Sequence, residues 1–194
     1  VDLSLILRLP ACVAAEKLIG WQLLHDHPGG KRGGIIVETE AYTLTDPASH
    51  SFRGNTARTK PMFGPGGTIY IYFTYGMHYC LNIVTDAPGE AILVRALEPT
   101  VGLNLMRQSR GPWTDQKLCN GPAKLVQALS LPLAYNNKHL SQTKLLLLPP
   151  MKSYKTYATR RVGITKAIDT PWRFCAQKSL FLSKDIPPHM PGHL

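Results

Sequence analysis

Apolar and polar positions change their spacing several times along the chain, and each change predicts an element. In residues 10–18, Ala11, Val13, Ala14, Ala15 and Leu18 read as a short helix, which Gly20 ends. Residues 21–24 and 34–42 read as the arms of a hairpin around the tip Asp26-His27-Pro28-Gly29-Gly30. Residues 43–67 show no period and are rich in Gly, Pro, Ser and Thr. A loop this long inside a domain is more often functional than neutral. A second hairpin is predicted from 68–73 and 78–85, with Thr74-Tyr75-Gly76-Met77 at its tip, followed by a turn at 86–90 and a strand at 91–97. Helices are predicted at 101–109 and 122–129, a buried strand at 145–148, a loop at 149–155, a strand pair at 161–164 and 173–176, and an irregular tail at 185–194. There are no repeats, no linker and no βαβ alternation. The expectation is one α+β domain spanning residues 1–194, built around a curved antiparallel sheet with helices outside.

Charge narrows the partners. The 194 residues carry 22 Lys and Arg against 12 Asp and Glu, a net charge of +10. Such a balance suggests an anionic polymer or a membrane surface. No apolar run approaches the ~18 residues of a membrane span, and no cleavable signal segment is visible. The cysteines Cys12, Cys80, Cys119 and Cys175 are scattered without a CxxC and read as reduced thiols. His25 with His27, His50 with His78, and His189 with His193 lack the further ligands of a zinc site. With no phosphate-binding glycine motif either, neither a metal nor a cofactor is expected.

Two segments carry candidate chemistry. Alternation in the strand 35–42 puts Glu38, Glu40 and Tyr42 on one face, and that strand begins with buried-type Ile and Val. Buried charge is costly unless paired. The plain alternative is one salt-bridged structural Glu and one Glu facing solvent. The second hairpin holds Tyr70, Tyr72, Phe73, Tyr75 and Tyr79. Tyr70 and Tyr72 share a face, and Tyr70 and Tyr79 suit cross-strand core packing. Tyr75 and Met77 at the tip suit a wedge between stacked bases.

Six strings then occur in order: Val37-Glu38-Thr39-Glu40-Ala41-Tyr42, Asp46-Pro47-Ala48-Ser49-His50, Met62-Phe63-Gly64-Pro65-Gly66, residues 70–82 from Tyr70 to Asn82, Arg95-Ala96-Leu97-Glu98-Pro99, and residues 118–125 from Leu118 to Leu125. In this the chain resembles the alkyladenine (3-methyladenine) DNA glycosylase family over most of residues 10–176, in versions closer to bacterial members. The resemblance implies an open, barrel-like sheet and excision of a damaged purine flipped from duplex DNA. It makes Glu40 the base for the attacking water, with Arg95 and the backbone carbonyl of Val162 helping to hold that water. It places Tyr42, His50 and Tyr72 around the flipped base, Asn82 on the wall against a 2-amino group, and Tyr75 and Met77 in the duplex. Arg53, Arg58, Lys60 and Lys124 are expected on the DNA, with Arg107, Arg110 and Arg161 also available to phosphates. The loop between Tyr42 and His50 is one residue shorter than in the mammalian enzyme, and residues 130–160 match poorly.

Arg95 beside Glu40 is expected to lower the pKa of that carboxyl. No lysine lies in the Glu40 strand or the tyrosine hairpin, so an imine-forming lyase step is not expected. Duplex DNA is the expected partner, with no membrane and no obligate protein partner, and the chain is expected to be a monomer. The expected location is the cytoplasm and nucleoid of a bacterium or the nucleus of a eukaryote, not the exterior. Two rivals remain: a DNA-bending module without turnover, and a small-molecule nucleosidase or formyltransferase-type domain on a similar sheet.

Overall fold

The computed structural model describes residues 2–74 and 78–186. Two short helices come first, α1 (Leu3–Leu7) and α2 (Ala11–Lys17). Asp2 starts α1 by accepting a hydrogen bond from the Ser4 amide, 2.9 Å, a cap not anticipated in the sequence. Then come β1 (Gln22–His25), β2 (Arg32–Tyr42), β3 (Ile69–Thr74), β4 (His78–Val84) and β5 (Ala91–Val101). Helices α3 (Leu103–Arg110), α4 (Asp115–Leu118) and α5 (Pro122–Ala128) follow, then strands β6 (Leu145–Leu148), β7 (Thr156–Thr159) and β8 (Arg173–Ala176).

All eight strands join one antiparallel sheet in the order β3-β4-β5-β2-β1-β6, with β8 pairing β2 and β7 pairing β8. The sheet does not close on itself, so the expected open antiparallel α+β architecture is the one the chain adopts. β2 is its spine. β5 lines one edge of β2 along almost its whole length, while β1 takes 32–35 of the other edge and β8 takes 38–40. Flanked this closely, β2 needs glycine where neighbouring backbones press in. A Cβ on Gly33 would lie 2.2 Å from the Leu23 carbonyl oxygen, and one on Gly34 would lie 2.1 Å from that of Glu98.

The β2–β5 ladder shifts register three times, once at Gly33/Gly34 and twice, in opposite senses, around Glu38. Ile36 faces Leu97 and Glu38 faces Ala96, which leaves Val37 as an extra residue on β2. Thr39 then faces Val94, which leaves Arg95 as the extra residue on β5. A bulge re-aims the side chain it carries. Beneath the sheet, Leu23, Ile36, Leu81, Ile83, Ile92 and Leu97 pack with α2 (Ala11, Ala14, Ala15) and α5 (Leu125, Ala128) in the main core. A smaller cluster of Met62, Tyr70, Val84 and Ala91 ties the 43–67 loop onto β3–β5.

That loop is not structureless; it holds two 3-10 turns, His50–Arg53 and Lys60–Phe63. One strand expectation needs correcting. β8 pairs with Thr156–Thr159, not with 161–164. The latter segment leaves the sheet because Gly163 turns with φ +77° and Arg161 is drawn to Asp46, 115 positions earlier in the chain.

Candidate active site

Glu40 and Glu38 are both fully buried, and they reach the same arginine. Arg95, re-aimed by its bulge, donates from Nη1 to Glu40 Oε2 (3.2 Å) and from Nε to Glu38 Oε1 (3.1 Å). The Tyr42 hydroxyl also donates to Glu40 Oε2 (2.8 Å), and the Val162 backbone N–H donates to Glu40 Oε1 (2.7 Å). Burial pushes the Glu40 carboxyl above its usual range, while Arg95, the Val162 amide and the Tyr42 hydroxyl pull it back. The expectation of a lowered Glu40 pKa is therefore corrected: desolvation of a wholly buried carboxylate outweighs the arginine beside it. Burial also opposes the charge of Arg95, yet Glu40 and Glu38 together raise its pKa.

The partners of Glu40 open onto a cavity of about 590 Å³. Tyr42, His50, Tyr72, Asn82, Arg95 and Val162, all picked out in the sequence, line it together. The His50 and Tyr72 rings meet edge-on at 4.5 Å, and Tyr70 and Tyr72 lie 5.5 Å apart. His50 Nδ1 is 3.0 Å from the Tyr70 hydroxyl. Burial, then Arg58, lowers the His50 pKa, which favours the neutral ring. Burial holds the tyrosine hydroxyls 42, 70 and 72 protonated by raising their pKa. Asn82 is fixed across the β3–β4 ladder by donating from Nδ2 to the Tyr70 carbonyl, 3.1 Å. The aromatic part of the wall is therefore uncharged, and the ionic groups at the cavity are Arg95, with the carboxylate behind it, and Lys166.

The cationic residues divide. Arg53, Arg58 and Lys60 are exposed on the 43–67 loop. Arg53 and Arg58 line a second groove with Lys166, which borders the main cavity as well. Lys124 donates to Asn120 Oδ1 (2.8 Å), close to the cavity residue Pro122. Arg161 is corrected as a phosphate ligand. It is buried, ion-paired to Asp46 by both Nη atoms, and stacked 4.7 Å from the Tyr42 ring. Arg107 is paired with Asp115, and Arg110 donates to the carbonyls of Lys117 and Leu118 (both 2.6 Å), so both already have partners within the fold. Tyr75 and Met77 lie outside the described residues.

Sequence reading missed Lys166 and the Asp46–Arg161 pair. It also missed the Arg173 and Ser183 contacts to Glu38 (2.6 and 2.7 Å). The string Asp46-Pro47-Ala48-Ser49-His50 did single out Asp46, but its partner has no local signal. Among the described residues, no helix is long and apolar enough to cross a membrane.

A family model described as methylpurine-DNA glycosylase matches residues 6–180. Three bacterial relatives carry the name "Putative 3-methyladenine DNA glycosylase". The Agrobacterium fabrum protein is 46% identical, covering 82% of this chain and 82% of its own length. The Rhodopseudomonas palustris protein (strain CGA009) is 47% identical over 89% of this chain and 83% of its own. The protein from Francisella tularensis subsp. tularensis is 44% identical over 94% of this chain and 98% of its own. A family match over most of the chain, at this identity to relatives of similar length, leads to one conclusion: the chain belongs to the methylpurine-DNA glycosylase family, enzymes that hydrolyse N-glycosyl bonds in DNA.

Proposed function

We propose that the chain flips alkylated or deaminated purines out of duplex DNA and cleaves the N-glycosidic bond with a water activated by Glu40, leaving an abasic site. The 3-methyladenine named in the relatives is one member of that substrate class, with 7-methylguanine, hypoxanthine and ethenoadenine as the others. The observation that carries the reading is the bonding of Glu40. A carboxylate offers about four acceptor sites. Among the described residues three are filled, by Tyr42, Arg95 and Val162, all of which line the cavity, and the reading assigns the fourth to the attacking water.

Purines alkylated at N3 or N7 are cationic and already good leaving groups. What the enzyme must add is a positioned water and a negative charge for the oxocarbenium-like C1′, and one ionised carboxylate supplies both. A neutral His50 and protonated tyrosines do not repel a cationic base, and their ring faces attract it. Stacking adds ~1–3 kcal/mol per base and tolerates different purines. Flipping costs a few kcal/mol, less where damage has weakened the pair, so selection begins before the base reaches the cavity. Tyr75 and Met77 would hold the opened stack, and Asn82 would stand against a 2-amino group. The reading is monofunctional: the water, not an amine, attacks C1′. One chain supplies every residue named here, so a monomer suffices.

The test is incubation with duplexes that each hold one of the four lesions, scoring free base and then strand cleavage by alkali. Base release with strand breaks only after alkali is expected. Strand breaks without alkali would show a lyase step, and no base release from any lesion would end the reading.

A further inference from the structure

The proposed chemistry leaves a second fully buried carboxylate without a task. Glu38 lies one pleat along β2 from Glu40, and of its partners only Arg95 lines the cavity, whereas Tyr42, Arg95 and Val162 on Glu40 all do. Its Oε1 accepts from Arg95 Nε (3.1 Å), Arg173 Nε (2.6 Å) and Ser183 Oγ (2.7 Å), and its Oε2 accepts from the Ser183 backbone N–H (2.6 Å). The result is a buried row of alternating charge, Arg173–Glu38–Arg95–Glu40, whose last member is the proposed base.

The far end of the row is tied down by the segment after β8. Arg173 Nη2 donates to the Lys184 carbonyl. Ser183 Oγ accepts from Arg95 at both Nε (3.3 Å) and Nη2 (3.2 Å). Only Nη1 of Arg95 is left for Glu40; the other two nitrogens are held from behind. A hydroxyl suits that position for a physical reason. It accepts from the guanidinium without neutralising it, whereas a third carboxylate would compete with Glu40 for the charge.

Resting on the reading of Glu40 as base, we propose that Ser183 is a positioning residue, holding Arg95 in the orientation that keeps Glu40 ready to take a proton from water. The groups around Glu40 are Glu38 and Tyr42 on its own strand, Arg95 on β5, Tyr72 and Cys80 on β3 and β4, and Arg173 and Cys175 on β8. Of these, Arg95 is the cation that contacts it. Loosening Arg95 therefore weakens the main charge favouring ionised Glu40, and the acidic limb of the rate profile moves to higher pH.

The experiment compares wild type, Ser183→Ala and Ser183→Thr in single-turnover excision from hypoxanthine and 7-methylguanine duplexes across the acidic limb. Duplex affinity and thermal melting are measured alongside. Ser183→Ala should lose roughly tenfold in rate at a given pH on the acidic limb, because the whole limb is displaced upward by about one pH unit. Affinity should stay at the wild-type value, melting should fall only modestly for the one hydroxyl lost from a buried carboxylate, and Ser183→Thr, which keeps the oxygen, should restore rate and melting. An unmoved limb in Ser183→Ala overturns the proposal, whether the rate is unchanged or falls evenly with a lowered melting temperature. A wild-type protein that releases no base overturns the glycosylase reading instead, so the two failures are distinguishable.

Discussion

The floor and the rim of the cavity handle charge in opposite ways. Behind the floor, where Arg95 reaches the cavity, Glu38, Glu40, Arg95 and Arg173 are buried and pair with one another. Beside them Arg161 is buried against Asp46. On the rim, Arg53, Arg58 and Lys166 surround a groove of about 380 Å³ that no carboxylate lines. With Lys60 they are exposed, and none pairs with an acidic side chain among the described residues. Salt screens exposed charges and barely reaches buried ones. On the proposed function, chemistry and affinity would rest on separate charges: a buried, self-neutralising set for the attacking water, and an exposed set for the polyanion. A perturbation of one set should spare the other, and a change that alters no charge should spare both.

The largest effect should come from the floor. Glu40→Gln keeps the shape but removes the proton acceptor and the negative charge near C1′, which should cost ~10²–10⁴ in single-turnover excision. Duplex affinity should stay within a few-fold, because it belongs to the rim. The acid side of the wild-type profile should show the same group. A base works only when ionised, and burial raises the Glu40 pKa, so the rate should begin to fall while the pH is still above the ordinary carboxylate range. A wild-type profile flat down to about pH 4.5 would mean that Glu40 is not the titrating base. Glu38→Gln is no neutral control for this experiment, because Glu38 compensates Arg173 and Arg95 in the interior.

Next in size is the buried pair under the wall. Asp46→Ala strips Arg161 of its carboxylate in an environment where both side chains are essentially inaccessible. Breaking a buried pair from one side costs about 3–5 kcal/mol, since the remaining charge is stranded. Urea unfolding should register that loss, and excision should fall too, because Arg161 precedes Val162 and lies against Tyr42. A change below about 1 kcal/mol would put this pair with exposed salt bridges.

The division between floor and rim was only half legible in the sequence. Period-two alternation was enough to set Glu38, Glu40 and Tyr42 on one face, and Tyr70 and Tyr72 on another, because a strand writes its two faces into consecutive residues. The antiparallel α+β class followed from hairpin turns and the missing βαβ alternation. The identity of the paired cations did not follow. Arg161 and Arg53 look alike in sequence, yet one is buried 115 positions from its partner and the other is solvent-facing. The bulge that aims Arg95 exists only in the offset between two strands. The Ser183 contact to Glu38 spans 145 positions and leaves no local trace. The edge strand Thr156–Thr159 lay in the region that resembled the family least, so neither period nor motif pointed to it.

The rim should answer to salt. With Arg107, Arg110 and Arg161 set aside, the cations proposed for phosphates are Arg53, Arg58, Lys60, Lys124 and, from its place on the rim, Lys166. About four or five contacts imply a log–log slope of affinity against salt near −4. A fourfold rise in salt should then weaken duplex binding by roughly two orders of magnitude. The single-turnover rate at saturating enzyme should hardly move over the same range, because the floor is screened little. A slope near zero, or a rate at saturation that falls in step with affinity, would break the division.

The smallest effect should come from Asn82, which belongs to neither set. Its Nδ2 is already committed to the Tyr70 carbonyl, so its amide is fixed across the ladder and stands against the cavity as a rigid wall. Asn82→Ser shortens the side chain and should leave room for an exocyclic 2-amino group. Because no charge is altered, neither the acidic limb nor the salt slope should move. What should change is the ratio of 7-methylguanine to hypoxanthine release, by a few-fold to roughly a hundredfold, since contacts worth about 1–3 kcal/mol set this kind of discrimination. The ratio, not either rate alone, is the measurement, because losing the hydrogen bond to Tyr70 can slow both substrates together. If the ratio stays at its wild-type value while both rates drop, Asn82 serves the ladder and the 2-amino group is excluded elsewhere in the cavity.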